Sequence, residues 1–224
     1  MKRDIITSAI GILVLTLVLG ILYPLVITGI SQVAFPGNAN GQKVYVAGRL
    51  VGSKLIGQQF ADQVVKNGKP QVDKSGNPVT TPDPRYFQTR PSATVPPDNA
   101  AATTFSNLGP NNVATEQAIA ANIQAYIALD KAPDGTAYYP GGLTAAKVPV
   151  DAADSSASGI DPDISVANAD IQAYRVASVR HLTLARVHAL ISTYTGGRGL
   201  GFSGEPGVDV LELNLALDRL TGGR

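Results

Sequence analysis

His181 and His188 stand seven residues apart, about 10 Å along a helix, too far for two imidazoles to bind one metal ion. Asp161-Pro162-Asp163 sets two carboxylates around a proline, which reads as a turn and helix start before it reads as a cation site. Gly199-Leu200-Gly201-Phe202-Ser203-Gly204 has the G-x-G-x-x-G spacing that lets a backbone approach a pyrophosphate. It follows a helical pattern instead of a strand, and Pro206-Gly207 come next, so no helix N-terminus is aimed at it and a mobile loop is expected. Gly48-Arg49-Leu50-Val51-Gly52-Ser53-Lys54 is one residue short of a phosphate-binding loop and puts Ser before Lys. Ser203 lacks the second flanking glycine of a nucleophile elbow. These residues offer no enzyme site.

Asp73-Lys74-Ser75-Gly76 imitates the Asp-Lys-Thr-Gly run in which P-type ATPases phosphorylate an aspartate. That chemistry needs a cytoplasmic phosphorylation domain, a nucleotide domain and several membrane spans. Here the run lies between Val72 and Val79 in a Gly- and Pro-rich stretch and reads as the tight turn of a surface hairpin.

The elements that must position any site begin with residues 5–30, which carry no charge and follow Lys2 and Arg3. As a helix this run would reach about 39 Å, more than the roughly 30 Å hydrocarbon layer. Pro24 is where a kink is expected. The apolar core is too long for a cleaved secretory signal, and Gln32 sits where a small residue would be wanted, so residues 1–31 are read as a retained anchor. Lys2 and Arg3 precede the run and the first charge after it is Lys43, which keeps the N-terminus in the cytoplasm and places the rest of the chain outside.

Lys and Arg number 18 against 17 Asp and Glu, for a net charge of +1, and no basic cluster supplies the contacts of nucleic-acid binding. With no cysteine, disulfides, thiolate catalysis and Cys-ligated metals are excluded. The 23 Gly and 15 Pro imply many turns between short elements. The expected fold class is α+β: a single N-terminal transmembrane helix, a linker over 32–42, and one extracytoplasmic domain of mixed helices and strands over 43–224.

Within that domain, 44–51 reads as strand, turn and strand. Residues 67–84 form a loop or flap, and 85–109 is irregular, anchored by Tyr86, Phe87, Phe105 and Leu108. Ile119, Ile123, Tyr126 and Ile127 mark a helix with Asn111 or Asn112 as N-cap. A second helix begins after Asp163 with Ile171, Tyr174 and Ser178 on one face; a third carries Leu184, Val187, Leu190, Ile191 and Tyr194, capped by Thr183 and stopped by Gly196. Residues 208–220 read as a strand entering a helix.

Several runs together resemble one family, KdpC, the C subunit of the Kdp-type potassium-transporting ATPase. They are Tyr23-Pro24, Gly52-Ser53-Lys54-Leu55-Ile56-Gly57-Gln58-Gln59-Phe60, Tyr86-Phe87-Gln88-Thr89-Arg90-Pro91-Ser92-Ala93, Ser106-Asn107-Leu108-Gly109-Pro110-Asn111, Ala157-Ser158-Gly159-Ile160-Asp161-Pro162 and Val210-Leu211-Glu212-Leu213-Asn214-Leu215-Ala216-Leu217-Asp218. They occur in family order and cover almost the whole chain. Residues 61–84 stand out as a surface insertion, Tyr174 replaces a usual proline, and Asp209 replaces a usual asparagine.

The resemblance implies a non-catalytic accessory subunit of an ATP-driven potassium uptake complex in a bacterial or archaeal plasma membrane. Its implied partners are a channel-like potassium-translocating subunit and a P-type ATP-hydrolysing subunit. It implies no cofactor of the chain's own, with ATP entering only through the complex. The family is described as a catalytic chaperone that raises the pump's affinity for ATP, and the glutamine credited with nucleotide contact is Gln58 here. The topology above disfavours direct contact, since Gln58 would lie across the membrane from cytoplasmic ATP. The alternative is an independent membrane-tethered protein with an extracytoplasmic ligand pocket; a tethered hydrolase has no nucleophile or metal site to support it.

Overall fold

The charge-free run folds as one continuous 33-residue helix, Lys2–Ala34, in a computed structural model that describes residues 1–104 and 107–222. It comprises α1 (Lys2–Leu17), a π-helical turn (Val18–Leu22) and α2 (Tyr23–Ala34), none of whose residues is buried. At about 1.5 Å per residue it spans about 50 Å, and its length and composition suffice to cross a membrane. Pro24 has no N–H to give the ladder, and the irregularity falls just before it: Tyr23 N–H donates to Val18 O, five residues back.

A one-turn helix, α3 (Pro36–Ala39), follows, and the carboxamide of Asn40 donates to Gln32 Oε1 at 3.1 Å. Strands β1 (Lys43–Val46) and β2 (Arg49–Ser53) pair antiparallel. Ala47 and Gly48 form the two-residue turn between them, both at positive φ, the geometry that matches hairpin twist. Met1–Ser53 make one compact unit and Lys54–Arg224 a second.

In the second unit, residues 61–82 form an arm of short antiparallel pairs. Strands β3 (Ala61–Gln63) and β6 (Thr80–Pro82) pair at its base, with β4 (Val65–Lys66) and β5 (Lys69–Pro70) beyond them. At the next turn, Asp73 Oδ1 accepts from the N–H groups of Ser75 and Asn77 at 2.8 and 2.9 Å, so the Asp-Lys-Ser-Gly run is an Asx turn. Its carboxyl is held below the usual range by those hydrogen bonds, led by that from the Asn77 backbone.

Asn112 caps α4 (Val113–Leu129), its side chain accepting from Ala114 N–H. After a 3₁₀ turn (Ala145–Lys147) and α5 (Val150–Ala153) comes a three-stranded antiparallel sheet of order β7-β9-β8. Its strands are β7 (Asp163–Ser165), β8 (Thr195–Gly196) and β9 (Gly207–Asp209). Helices α6 (Val166–Val179), α7 (Leu184–Thr193) and α8 (Val210–Thr221) pack with it around Phe87, Ile164, Val176, Val187, Val208 and Leu213.

Three details differ from the sequence reading. Residues 163–165 are a strand before α6, too short for alternation to show. The buried face of α6 is made of Ala169, Ala173 and Val176 with Asn168, Gln172 and Arg175, while Tyr174 is half-buried and meets Tyr139 edge-on at 5.3 Å. Thr193 ends α7, and Gly196 lies in β8. Residues 208–220 do run from strand to helix, changing at Asp209, which caps α8 by accepting from Glu212 N–H at 2.8 Å. Phe105, expected to anchor the 85–109 stretch, lies outside the described residues.

Candidate functional site

Residues 84–88 cross the core with their backbone groups held by side chains instead of by a neighbouring strand. Arg175, 2% exposed on α6, donates from Nη1 to the carbonyls of Pro84 and Tyr86 at 2.6 and 2.9 Å. Its Nη2 donates to Gln172 Oε1 at 2.7 Å. Burial pulls its guanidinium down to about 10. From α8, Asn214 accepts from Phe87 N–H and donates to Phe87 O, both at 2.9 Å. Gln172 does the same for Gln88, accepting from its N–H at 2.8 Å and donating to its carbonyl at 3.1 Å. Arg180 Nε donates to Arg85 O at 2.6 Å, while its Nη2 meets Asp218 at 2.9 Å and its guanidinium lies 4.5 Å from the Tyr86 ring centroid. Each buried backbone group left unmatched would cost about 1–3 kcal/mol, so these side chains fix where the chain emerges.

It emerges as Thr89-Arg90-Pro91-Ser92 on the wall of a cavity of about 260 Å³. Pro82, Pro97, Ala125, Leu129 and Ala152 add apolar surface; Gln59, Asn122 and Tyr126 add polar groups. Arg90 pairs with Asp161 at 3.0 Å, and Ser92 Oγ donates to Gly159 O at 2.6 Å. Gly159 has φ +76°, and a Cβ there would stand 2.6 Å from Thr104 O, so neither the conformation nor the space admits a side chain.

Asp98 faces the same cavity. Its Oδ2 accepts from Thr89 Oγ1 at 3.0 Å, its N–H donates to Ser92 Oγ at 3.0 Å, and its φ is +58°. No Lys, Arg or His among the described residues forms an ion pair with it. Burial, with a smaller push from Asp161, raises its carboxyl to about 6.

Gln58 is elsewhere. Its side chain is exposed, whereas Gln59 lines the cavity and accepts from Thr80 Oγ1 at 3.3 Å. Just before them in the chain, Gly57 N–H donates to Ile160 O at 2.7 Å, and a Cβ on Gly57 would sit 2.5 Å from Asp161 O. The two family runs around Gly57 and Asp161 therefore meet backbone to backbone.

His188 lies beside Asp170, with Nε2 3.8 Å from Oδ1, while His181, at φ +55°, follows the end of α6. Asp161 serves Arg90 and Ser158, and Asp163 is in β7. Among the described residues no three His, Asp or Glu gather as a metal site. Gly199 and Ser203 exchange backbone hydrogen bonds at 2.7 and 2.8 Å, closing the glycine-rich run into a turn that leads to β9.

Residue types alone did not single out Gln172, Arg175 or Asp98. Asn214 left a trace, as the one polar residue in Leu213-Asn214-Leu215-Ala216-Leu217.

A family model described as K+-transporting ATPase, c chain, matches residues 5–219. The chain belongs to the KdpC family. The potassium-transporting ATPase KdpC subunit of Methylococcus capsulatus is 44% identical over 210 residues, 93% of this chain and 94% of the relative. That of Methylibium petroleiphilum is 43% identical over 219 residues, 97% and 98% of the two chains. That of Mycobacterium tuberculosis is 40% identical over 220 residues, 98% of this chain and all of the relative. Of the family runs, 86–93 passes through the side-chain clamp to the cavity wall, 157–162 supplies the Gly159 and Asp161 that hold Ser92 and Arg90, and 210–218 supplies Asn214 and Asp218.

Proposed function

We propose that this chain is the accessory C subunit of an ATP-driven, high-affinity potassium uptake complex and is built into that complex through its anchor. The observation that carries the reading is the reach of the family match: it starts at residue 5, so the matched region takes in the apolar helix together with the folded part. Lys2 and Arg3 favour a cytoplasmic N-terminus, which sets the folded unit outside. The helix then packs on partner spans, with Gly11, Gly20 and Thr16 permitting close approach. The outer part caps the entrance to the potassium pathway. The partners are a channel-like subunit and a P-type subunit, which does the phosphoryl chemistry; this chain supplies no catalytic group.

An effect on the pump's ATP affinity is, on this reading, a coupling carried through subunit contacts. Such couplings amount to about 1–3 kcal/mol, or 5- to 150-fold in affinity. ATP has no need to touch Gln58. The test is affinity purification of the tagged full-length chain from its native membrane, together with a topology reporter on the C-terminus. Both partner subunits should co-purify and the reporter should report outside. Purification of the chain alone, or a cytoplasmic C-terminus, overturns the reading.

A further inference from the structure

The cavity beneath residues 89–92 presents one formal charge that the protein does not answer. Arg90 is neutralised by Asp161, whereas Asp98 has only the Thr89 hydroxyl at 3.0 Å and no ion-pair partner among the described residues. A carboxylate in a half-enclosed, largely apolar site is costly unless a cation joins it. Asp98 is held at φ +58°, in the left-handed region that aspartate tolerates better than most side chains.

We infer that this cavity binds a small organic ammonium compound, its charged nitrogen against the Asp98 carboxylate and its short alkyl body against Pro82, Pro97, Ala125 and Leu129. The volume of about 260 Å³ suits a molecule of roughly ten non-hydrogen atoms at most, near the small end of ligand pockets. An inorganic cation fits less well. Such ions take several oxygen ligands, and the site has a single free carboxylate in a wall that is mostly carbon. The burial that raises the Asp98 carboxyl to about 6 leaves it ionised near neutrality, where an ammonium ion relieves the cost. Of the charged groups beside it, Asp161 pairs with Arg90 at 3.0 Å and still adds a small repulsion that a bound cation would relieve. The inference stands apart from assembly, because binding is read on this chain alone.

The experiment is calorimetric titration of the full-length chain in detergent micelles with 3-methylbutylammonium chloride, its neutral isostere 3-methylbutan-1-ol, and potassium chloride. The amine should bind saturably, and the alcohol and potassium about tenfold or more weakly, as expected when a paired charge supplies the selectivity. Asp98→Asn keeps the shape and the hydrogen bond from Thr89 and should weaken the amine to the level of the alcohol. Ala125→Phe, at an exposed position on the cavity wall, should block binding while leaving the fold intact by circular dichroism. No saturable binding of the amine at millimolar concentration overturns the inference. So does equal binding of the alcohol or of potassium, or unchanged amine binding in either variant.

Discussion

Asn214 on α8 holds Phe87 by both of its backbone groups, accepting from the N–H and donating to the carbonyl at 2.9 Å each. Both residues are fully buried. A side-chain carboxamide thus completes the hydrogen bonding that a neighbouring strand would otherwise give, and it joins two family runs 127 residues apart.

Asn214→Leu keeps the volume and leaves both Phe87 groups unmatched in the core. The expected loss is about 2–4 kcal/mol of unfolding free energy, from two unsatisfied groups. Denaturant unfolding of the full-length chain in micelles checks it, and a loss below about 0.5 kcal/mol, ordinary for an exposed site, would show that the clamp is dispensable.

Gly57→Ala should be costly although it adds one methyl group, since the Cβ would stand 2.5 Å from Asp161 O, a backbone atom that cannot rotate away. Overpacking of this kind costs about 1–3 kcal/mol. The readout is the thermal midpoint, with Gly48→Ala as a comparison, because Gly48 has open space and only a positive φ to lose. Gly57→Ala should also weaken co-purification of the partner subunits if the 54–60 segment is part of the contact.

Burial raises the Asp209 carboxyl to about 6, outweighing the lowering by the Glu212 N–H that it caps. Because the folded value lies above the ordinary 3.8, this residue favours folding below that value, and the advantage is lost as pH rises through about 6. Asp209→Asn retains an oxygen for the cap and removes the charge. The variant should be the more stable above pH 6, by about 1 kcal/mol once solvent screening of a half-exposed carboxylate is discounted, with the gap closing toward pH 4. Thermal melts across that range test it; a variant less stable at pH 8 contradicts it.

Gln58→Ala should leave the ATP dependence of the assembled pump unchanged, because the side chain is exposed and, by the proposed topology, on the far side of the membrane. The measurement is the apparent KM for ATP of the purified complex. A severalfold increase would show that Gln58 contributes to ATP affinity and contradict the prediction.

Local signals carried the long apolar helix, the caps at Asn112 and Thr183, the 44–51 hairpin and the strand-to-helix change near Asp209. Each rests on contacts within a few residues. The clamp was hidden because its logic is non-local. Gln172 and Arg175 look like the solvated side of α6, and they become interior only because residues 84–88, far away in sequence, lie against them. The same holds for α6 as a whole: its buried face is built mainly of alanines and polar residues, while its large side chains Ile171 and Tyr174 are only half-buried. Asp98 gave no signal at all, since a lone aspartate after two prolines reads as an ordinary turn.

If the apolar helix is the route into the complex, residues 43–224 expressed with a secretion signal beside both partner subunits should fail to join it. Folding of the fragment is checked by circular dichroism, and co-purification and potassium-stimulated ATP hydrolysis are then compared with the full-length chain. The full-length chain should retain both partners and support hydrolysis, while the folded fragment does neither. A fragment that binds and activates the partners unaided would contradict it.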